Sequence, residues 1–129
     1  MIYSETLLEH FRAPRNVGLM RNPDAVGESQ DSTCGDLARF YLRVADGRVT
    51  EARFQTYGCG PSIAASSLAT ELARDRAVEE LMGLTPAVVE EALGGLPDER
   101  RHAASLVVDA LHAAAAQYRT ARRPEVSRV

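Results

Sequence analysis

The chain has no lysine and only two cysteines among its 129 residues. Without lysine there is no side-chain amine for a Schiff base or an amine base, so these kinds of catalysis are excluded. No apolar run approaches the ~20 residues of a membrane span, and the N-terminus lacks a basic stretch followed by an apolar one. We therefore expect a cytoplasmic protein whose cysteines are reduced thiols or metal ligands.

The charge balance argues against a nucleic-acid-binding protein. The formal net charge is -3, whereas binding to phosphates requires an excess of basic surface. The 45% apolar and 26% charged residues are ordinary for a soluble globular protein. The length predicts a single domain over residues 1–129, with a frayed tail from about residue 123.

Alternating hydrophobicity predicts a hairpin in the first half of the chain. Ala38, Phe40 and Leu42 share one face of a strand that begins at Leu37, and a second strand follows over Val49–Tyr57. The other predicted elements of this half are a helix capped by Ser4 and ended by Pro14, a long loop over Arg15–Ser32, and a tight turn at Asp46-Gly47.

Helical spacing predominates after Cys59. The predicted helices are one beginning at Pro61 with Ile63, Ala64, Leu68 and Leu72 on it, a short one over Val78–Met82, one from Thr85-Pro86 to Gly94-Gly95, and a long one from Pro97 to Pro124 with Leu106 and Ala110 on one face. Strands followed by helices predict an α+β fold in which helices pack on one face of a small antiparallel sheet.

Both thiols lie in glycine-containing turns. Cys59, between Gly58 and Gly60, is predicted at the entrance of a helix, where exposed amides carry partial positive charge and favour a thiolate. The two glycines allow positive φ and leave room for a bound ion or a partner's backbone. Cys34 is followed by Gly35 and Asp36, so a thiol and a carboxylate two residues apart can face one metal.

His102 can complete a set of donors with Cys34, Asp36 and Cys59. Two sulfurs, one nitrogen and one oxygen suit tetrahedral zinc or a mixed-ligand iron–sulfur cluster. The residues alone also allow inert interpretations: a buried free cysteine, a turn aspartate and a solvated surface histidine. His10 and His112 are predicted to be structural, and serines 62, 66 and 67 have no base partner that would make them nucleophiles.

Several motifs in order resemble the U-type iron–sulfur cluster scaffold family, the NifU N-terminal domain and IscU group. The resemblance runs from about Tyr3 to Tyr118 and is carried by Tyr3-Ser4, Pro14-Arg15-Asn16-Val17-Gly18, Cys34-Gly35-Asp36, Ala52-Arg53-Phe54, Thr56-Tyr57-Gly58-Cys59-Gly60, Ile63-Ala64, Ser66-Ser67 and Asp109-Ala110. It implies a carrier rather than an enzyme, with an α+β fold. Members assemble a [2Fe-2S] cluster from iron and from persulfide sulfur delivered by a cysteine desulfurase, and pass it to apo-protein acceptors.

The resemblance also implies the site residues. Cys34, Asp36, Cys59 and His102 match the family's metal and cluster positions, where many members bind zinc instead. The family's third cysteine, which is thought to accept sulfur, is replaced here by Ala103. The family's chaperone-recognition segment is replaced by the acidic Leu96-Pro97-Asp98-Glu99-Arg100, which implies weakened docking to an Hsp70-type chaperone because two carboxylates would have to be desolvated.

Three functions follow as hypotheses. The first is a variant scaffold or carrier whose four donors hold a [2Fe-2S] cluster or iron. Two chains of a homodimer could share that cluster. The second is a zinc-binding paralogue that docks on a cysteine desulfurase or on a scaffold without assembling clusters. The third is a persulfide sulfur carrier that uses Cys59.

Overall fold

The computed structural model describes residues 3–33 and 35–121. In chain order, the elements are α1 (Glu5–Arg12), β1 (Ala25–Gln30), β2 (Leu37–Ala45), β3 (Arg48–Tyr57), α2 (Gly60–Ala73), α3 (Val78–Leu81), α4 (Pro86–Leu93), a 3-10 turn (Asp98–Arg100) and α5 (His102–Ala121). Within these residues, no helix combines the length and the apolar character needed to cross a membrane.

The sheet is three-stranded and antiparallel, in the order β1-β2-β3. The predicted hairpin of β2 and β3 is confirmed, and Asp46 and Gly47 connect its strands with φ angles of 53° and 76°. Positive φ at both central residues is characteristic of the turn that matches the twist of a hairpin. Phe40 and Phe54 are directly opposite each other on the buried face, with ring centroids 6.2 Å apart.

The two faces of the sheet differ in character. One face is packed under the helices, and the other carries ion pairs between strands, such as Arg39 with Glu28 and Arg43 with Glu51. Opposite charges on facing strand positions stabilise a solvated sheet surface. The prediction of an α+β fold with helices on one face is therefore confirmed.

The loop predicted over Arg15–Ser32 was wrong in its second half, because β1 occupies Ala25–Gln30 and pairs along β2. The strand was missed since glycine and polar residues take most of its positions. Gly27 is where α5 approaches the sheet most closely: a Cβ there would lie 2.1 Å from the backbone nitrogen of Ala114 and 2.3 Å from the carbonyl oxygen of Ala110. Backbone contact at that distance is open only to glycine.

The helix starts predicted at Cys59 and at Thr85 are confirmed: Cys59 caps α2, and the Thr85 side chain accepts a hydrogen bond from Val88 N. The long helix predicted from Pro97 was wrong at its start. Pro97 is extended, with ψ 150°, and α5 begins only at His102, after the 3-10 turn. The predicted end at Pro124 and the frayed tail from about residue 123 lie outside the described residues.

His10 joins α1 to α2 inside the molecule. It is 2% exposed, its Nδ1 lies 2.7 Å from Ser67 Oγ, and its Nε2 accepts a hydrogen bond from the Arg15 guanidinium at 3.1 Å. With Nε2 accepting, Nδ1 carries the proton and donates to Ser67. Desolvation by burial lowers the pKa of His10 below its ordinary 6.5, and the Glu71 carboxylate opposes that shift.

Gly27→Ala is expected to lower the free energy of unfolding by about 3 kcal/mol or more, because the added methyl group collides with the α5 backbone. Urea unfolding at constant pH measures the change. Gly83→Ala is the matched control, since its Cβ would lie 3.5 Å from Glu80 O, an ordinary contact. Equal changes for the two variants would show that α5 does not depend on this contact.

The buried His10 should make stability depend on pH in a defined interval. Because its folded pKa lies below the unfolded value of 6.5, the unfolded state binds more protons as the pH falls through 6.5. The free energy of unfolding should therefore be level above 6.5 and decrease below it, until the pH reaches the folded pKa. His10→Asn should remove this component from a series of urea titrations. His112→Asn, which loses only the hydrogen bond to Leu84 O, should keep it.

Candidate metal centre

Asp36 lies at the junction between a tight loop and β2. Its carbonyl oxygen accepts a hydrogen bond from Asp31 N at 2.8 Å, and Gly35 N donates to Asp31 O at 2.7 Å. Gly35 has a φ of 81°, a left-handed conformation that favours glycine. The loop therefore closes on itself immediately before β2 and directs the Asp36 carboxylate inward, where the residue is 8% exposed.

Gly58 provides the space for that carboxylate. A Cβ at Gly58 would lie 2.5 Å from Asp36 Cγ and 2.7 Å from its Oδ2, whereas a Cβ at Gly60 would meet only the Phe11 ring, at 3.1 Å. The sequence allows positive φ at both glycines, but neither is among the glycines with positive φ. Gly58 therefore makes room for the Asp36 side chain, and Gly60 lies next to the Phe11 ring of α1.

Cys59 is the N-cap residue of α2. Its carbonyl oxygen accepts from Ser62 N at 3.0 Å and from Ile63 N at 3.1 Å, and its side chain is half-buried. The thiol Sγ lies 3.5 Å from Asp36 Oδ2 and 3.3 Å from Ser62 Oγ. The turn that starts the helix thus holds the sulfur against the carboxylate.

His102, the first residue of α5, approaches the same carboxylate. Its Nε2 lies 3.6 Å from Asp36 Oδ2, and the donor atoms of Asp36, Cys59 and His102 are all within 4.8 Å of one another. Bonds of about 2.0–2.3 Å to a tetrahedral ion separate its ligand atoms by ~3.3–3.8 Å. Both distances to Oδ2 fall in that range, so Cys59 and His102 are each spaced from Asp36 as two ligands of one cation are.

Two further positions bear on the donor set. Cys34 was predicted as a ligand but lies outside the described residues, so its role stays a prediction. Ala103 follows His102 and is completely buried. A methyl group fills the core at this position and offers no donor atom.

A cavity of about 260 Å³ opens beside Cys59. It is bounded by apolar side chains of α1, including Leu7 and Phe11, and by Arg100 from the 3-10 turn. A hydrogen bond with Tyr3 raises the pKa of Arg100, and the charge of Cys59 acts in the same direction. A ligand or a side chain of a partner protein can therefore approach the Cys59 thiol through this cavity, next to the positive charge of Arg100.

Ser62 is a residue of this site that sequence reasoning missed. Its hydroxyl is fully buried and donates to Asp36 Oδ2 at 3.0 Å. From the sequence, its hydroxyl suggested only a nucleophile, and one without a base partner. Its spacing of three residues from Cys59 was the available signal, because residues i and i+3 lie on the same side of a helix.

Gly58→Ala is expected to weaken binding of Co²⁺, a probe for tetrahedral sites, by about 10-fold or more. The added Cβ displaces the Asp36 carboxylate from the other donors, and loss of ligand orientation has effects of this size in metal sites. Anaerobic titration followed by visible absorption gives the dissociation constant. Gly60→Ala, whose Cβ lies nearest to the half-exposed Phe11 ring, should change the dissociation constant by less than about 3-fold, which corresponds to about 0.7 kcal/mol. Similar losses in both variants would contradict this role of Gly58.

The chain is similar to known proteins over nearly its whole length. The sequence profile described as NifU-like N terminal domain matches residues 2–125. The chain is 44% identical over 117 residues to "Iron-sulfur cluster assembly scaffold protein IscU 1" of Archaeoglobus fulgidus, covering 91% of this chain and 76% of that protein. It is 39% identical over 126 residues to "Iron-sulfur cluster assembly scaffold protein IscU" of Escherichia coli K12, covering 95% of this chain and 98% of that one.

Solved structures confirm the fold. The N-terminal NifU-like protein of Brucella abortus superposes with a TM-score of 0.73 at 21% identity, over 91% of this chain and 94% of that one. A protein of Fervidobacterium islandicum, described as a putative iron–sulfur cluster assembly scaffold for the SUF system, superposes with a TM-score of 0.70 over 88% and 96%. With the profile match across nearly its whole length and two scaffold relatives at about 40% identity, the chain belongs to the NifU-like N-terminal domain family.

Proposed function

We propose that this protein is an iron–sulfur cluster assembly scaffold, a carrier rather than an enzyme, whose cargo is a [2Fe-2S] cluster or iron bound by Cys34, Asp36, Cys59 and His102. The observation that carries the proposal is the convergence of a carboxylate, a thiol and an imidazole within 4.8 Å. The relatives named as scaffolds support it independently. A scaffold requires a sulfur donor and acceptors for its cargo, and we propose that both are proteins of the cytoplasm.

A set of thiolate, carboxylate and imidazole ligands suits a cluster or an iron ion that has to be released to an acceptor. Histidine in place of thiolate raises the reduction potential of a cluster, and a carboxylate oxygen is a harder ligand than sulfur. Asp36 and His102 are therefore the ligands expected to release first. With two cysteines per chain, two copies that share a cluster could instead supply four thiolates, so we propose a homodimer as a second form of the loaded state, in which Asp36 and His102 are not ligands.

Residue 103 is alanine and has no thiol, so sulfur has to be delivered to another residue. We propose that a cysteine desulfurase presents its persulfide at the cavity beside Cys59, where Arg100 lies close. In the persulfide-carrier variant of this function, the Cys59 thiolate attacks the outer sulfur of the donor persulfide. A new S–S bond forms on Cys59, the donor's S–S bond breaks, and the donor cysteine leaves as a thiolate.

The acidic segment over residues 96–100, at the place of the family's chaperone-recognition segment, has an exposed carboxylate at its centre. The Asp98 side chain is 98% exposed, and Pro97 holds the chain extended before it. Docking of this segment in an apolar groove would remove the Asp98 carboxylate from water. Its ion pair with Arg101 Nη1 is long, at 3.9 Å, and burial of a weakly paired charge is costly. We therefore propose that release of the cargo does not depend on an Hsp70-type chaperone.

Anaerobic incubation with ferrous iron, cysteine and a cysteine desulfurase tests the function. Wild type should develop the visible absorption of an iron–sulfur cluster, and Cys59→Ala should lose nearly all of it because a thiolate ligand is removed. Ala103→Cys, measured in parallel, should add little to the cluster yield, because the four proposed donors already complete the site.

The alternatives predict different results in the same experiment. A cluster only in Ala103→Cys, together with tight zinc in wild type, would favour the zinc-binding paralogue that docks on a desulfurase or a scaffold. The tetrahedral separation of the donors supports that alternative. No cluster, but a mass gain of one sulfur atom on Cys59, would favour the persulfide carrier.

A further inference from the structure

We propose that Ser62 is a positioning residue of the metal centre, which acts on bound metal through the carboxylate of Asp36. The inference rests on the proposed function, because it takes Asp36 as a ligand. Ser62 Oγ donates to Asp36 Oδ2 at 3.0 Å and lies 3.3 Å from Cys59 Sγ. Its hydroxyl thus lies between two of the donor side chains while belonging to neither.

The contacts of Asp36 Oδ2 show why this hydroxyl matters. The same oxygen faces the thiol and the backbone amide of Cys59, each at 3.5 Å, and His102 Nε2 at 3.6 Å. Ser62 makes a shorter contact than any of these three. When a metal binds, the Cys59 thiol becomes a thiolate and the ligating nitrogen of His102 offers a lone pair, so neither side-chain atom donates to Asp36. The hydroxyl of Ser62 keeps its proton and continues to hold the carboxylate.

The position of Ser62 is itself well determined. The residue is fully buried in the first turn of α2. Its carbonyl oxygen accepts from Ser66 Oγ at 2.8 Å, and Ser66 Oγ lies 2.6 Å from Thr56 Oγ1 at the end of β3. The start of α2 is thus tied to the strand that precedes it, and the Ser62 hydroxyl has little freedom to follow a moving carboxylate.

A hydroxyl held in this way should slow metal release. A hydrogen bond to an ionised carboxylate is stronger than one between neutral groups, particularly away from water. Without it, the Asp36 carboxylate loses a contact that is shorter than those of Oδ2 with Cys59 and His102, so it is held less firmly against these donors. Partners that orient a metal ligand typically change metal affinity by about 10- to 100-fold.

The experiment is a chelator competition with Co²⁺-loaded full-length protein. Wild type, Ser62→Ala and Ser67→Ala are loaded anaerobically, and Co²⁺ release is followed by loss of the visible absorption. Ser67→Ala is the matched control: it also removes a fully buried hydroxyl from α2, and in the described part of the chain that hydroxyl contacts His10 and Arg15. We expect release about 10-fold faster or more in Ser62→Ala and changed by less than about 3-fold in Ser67→Ala.

A double-mutant cycle with Asp36→Ala tests whether Ser62 acts through the carboxylate. If it does, Ser62→Ala should accelerate release in the wild-type background and leave the rate of the Asp36→Ala protein unchanged. The absorption band of bound Co²⁺ should shift in Ser62→Ala and stay in place in Ser67→Ala. A loss of packing alone would not produce this pair of results.

Three outcomes would overturn the inference. Equal release rates for wild type and Ser62→Ala would show that the hydroxyl does not position Asp36. An effect of Ser62→Ala that persists in Asp36→Ala would assign it to Cys59 instead. Wild-type protein that binds no Co²⁺ would overturn the proposed ligand set together with this inference, whereas the first two outcomes leave that ligand set intact.

Discussion

The arrangement of the metal centre depends on one buried carboxylate, that of Asp36. A carboxylate that is largely removed from water requires partners, because an unpaired buried charge is very costly. Here the partners come from the start of α2 and the start of α5, while the carboxylate itself is fixed by the loop before β2. Three parts of the chain are thereby held at one point, and the open space at Gly58 allows them to meet.

The same carboxylate explains why a cation fits this place. A thiolate and a carboxylate 3.5 Å apart repel each other, and the repulsion is larger in a partly buried site than in bulk water. A proton on Cys59 relieves it by donating to Asp36, and a metal ion between the two relieves it more fully. The exchange of a proton for a metal is the usual course of metal binding by thiols.

The position of His102, the third donor of the metal centre, depends on packing far from that centre. His102 begins α5, and Gly27 of β1 lies against the same helix twelve residues along, near Ala114. At 1.5 Å per residue, these two points on the helix are separated by about 18 Å. The position of the imidazole therefore depends on backbone contact between β1 and α5 at that distance. The methyl group of Ala103 completes the packing beside His102, so the core is filled here without a third thiol.

The sequence by itself determined the features that arise from local chemistry: the hairpin around Asp46-Gly47, the cap at Thr85, the start of α2 at Cys59 and the α+β order of elements. Each follows from the conformational preferences of adjacent residues or from a short hydrophobic period, so a window of a few residues contains the information. The order of the motifs also indicated that Asp36, Cys59 and His102 belong to one metal site. It did not predict how their side chains are arranged there.

Only the tertiary structure decided that β1 is a strand, that α5 begins at His102, that Gly58 accommodates Asp36 and that Ser62 is its hydrogen-bond donor. These features depend on contacts between residues distant in the chain, and local preference opposes some of them. Glycine at position 27 disfavours a strand by itself, yet close packing against α5 requires it there. The physical reason is that burial and backbone approach are properties of the assembled fold, which no short stretch of the chain contains.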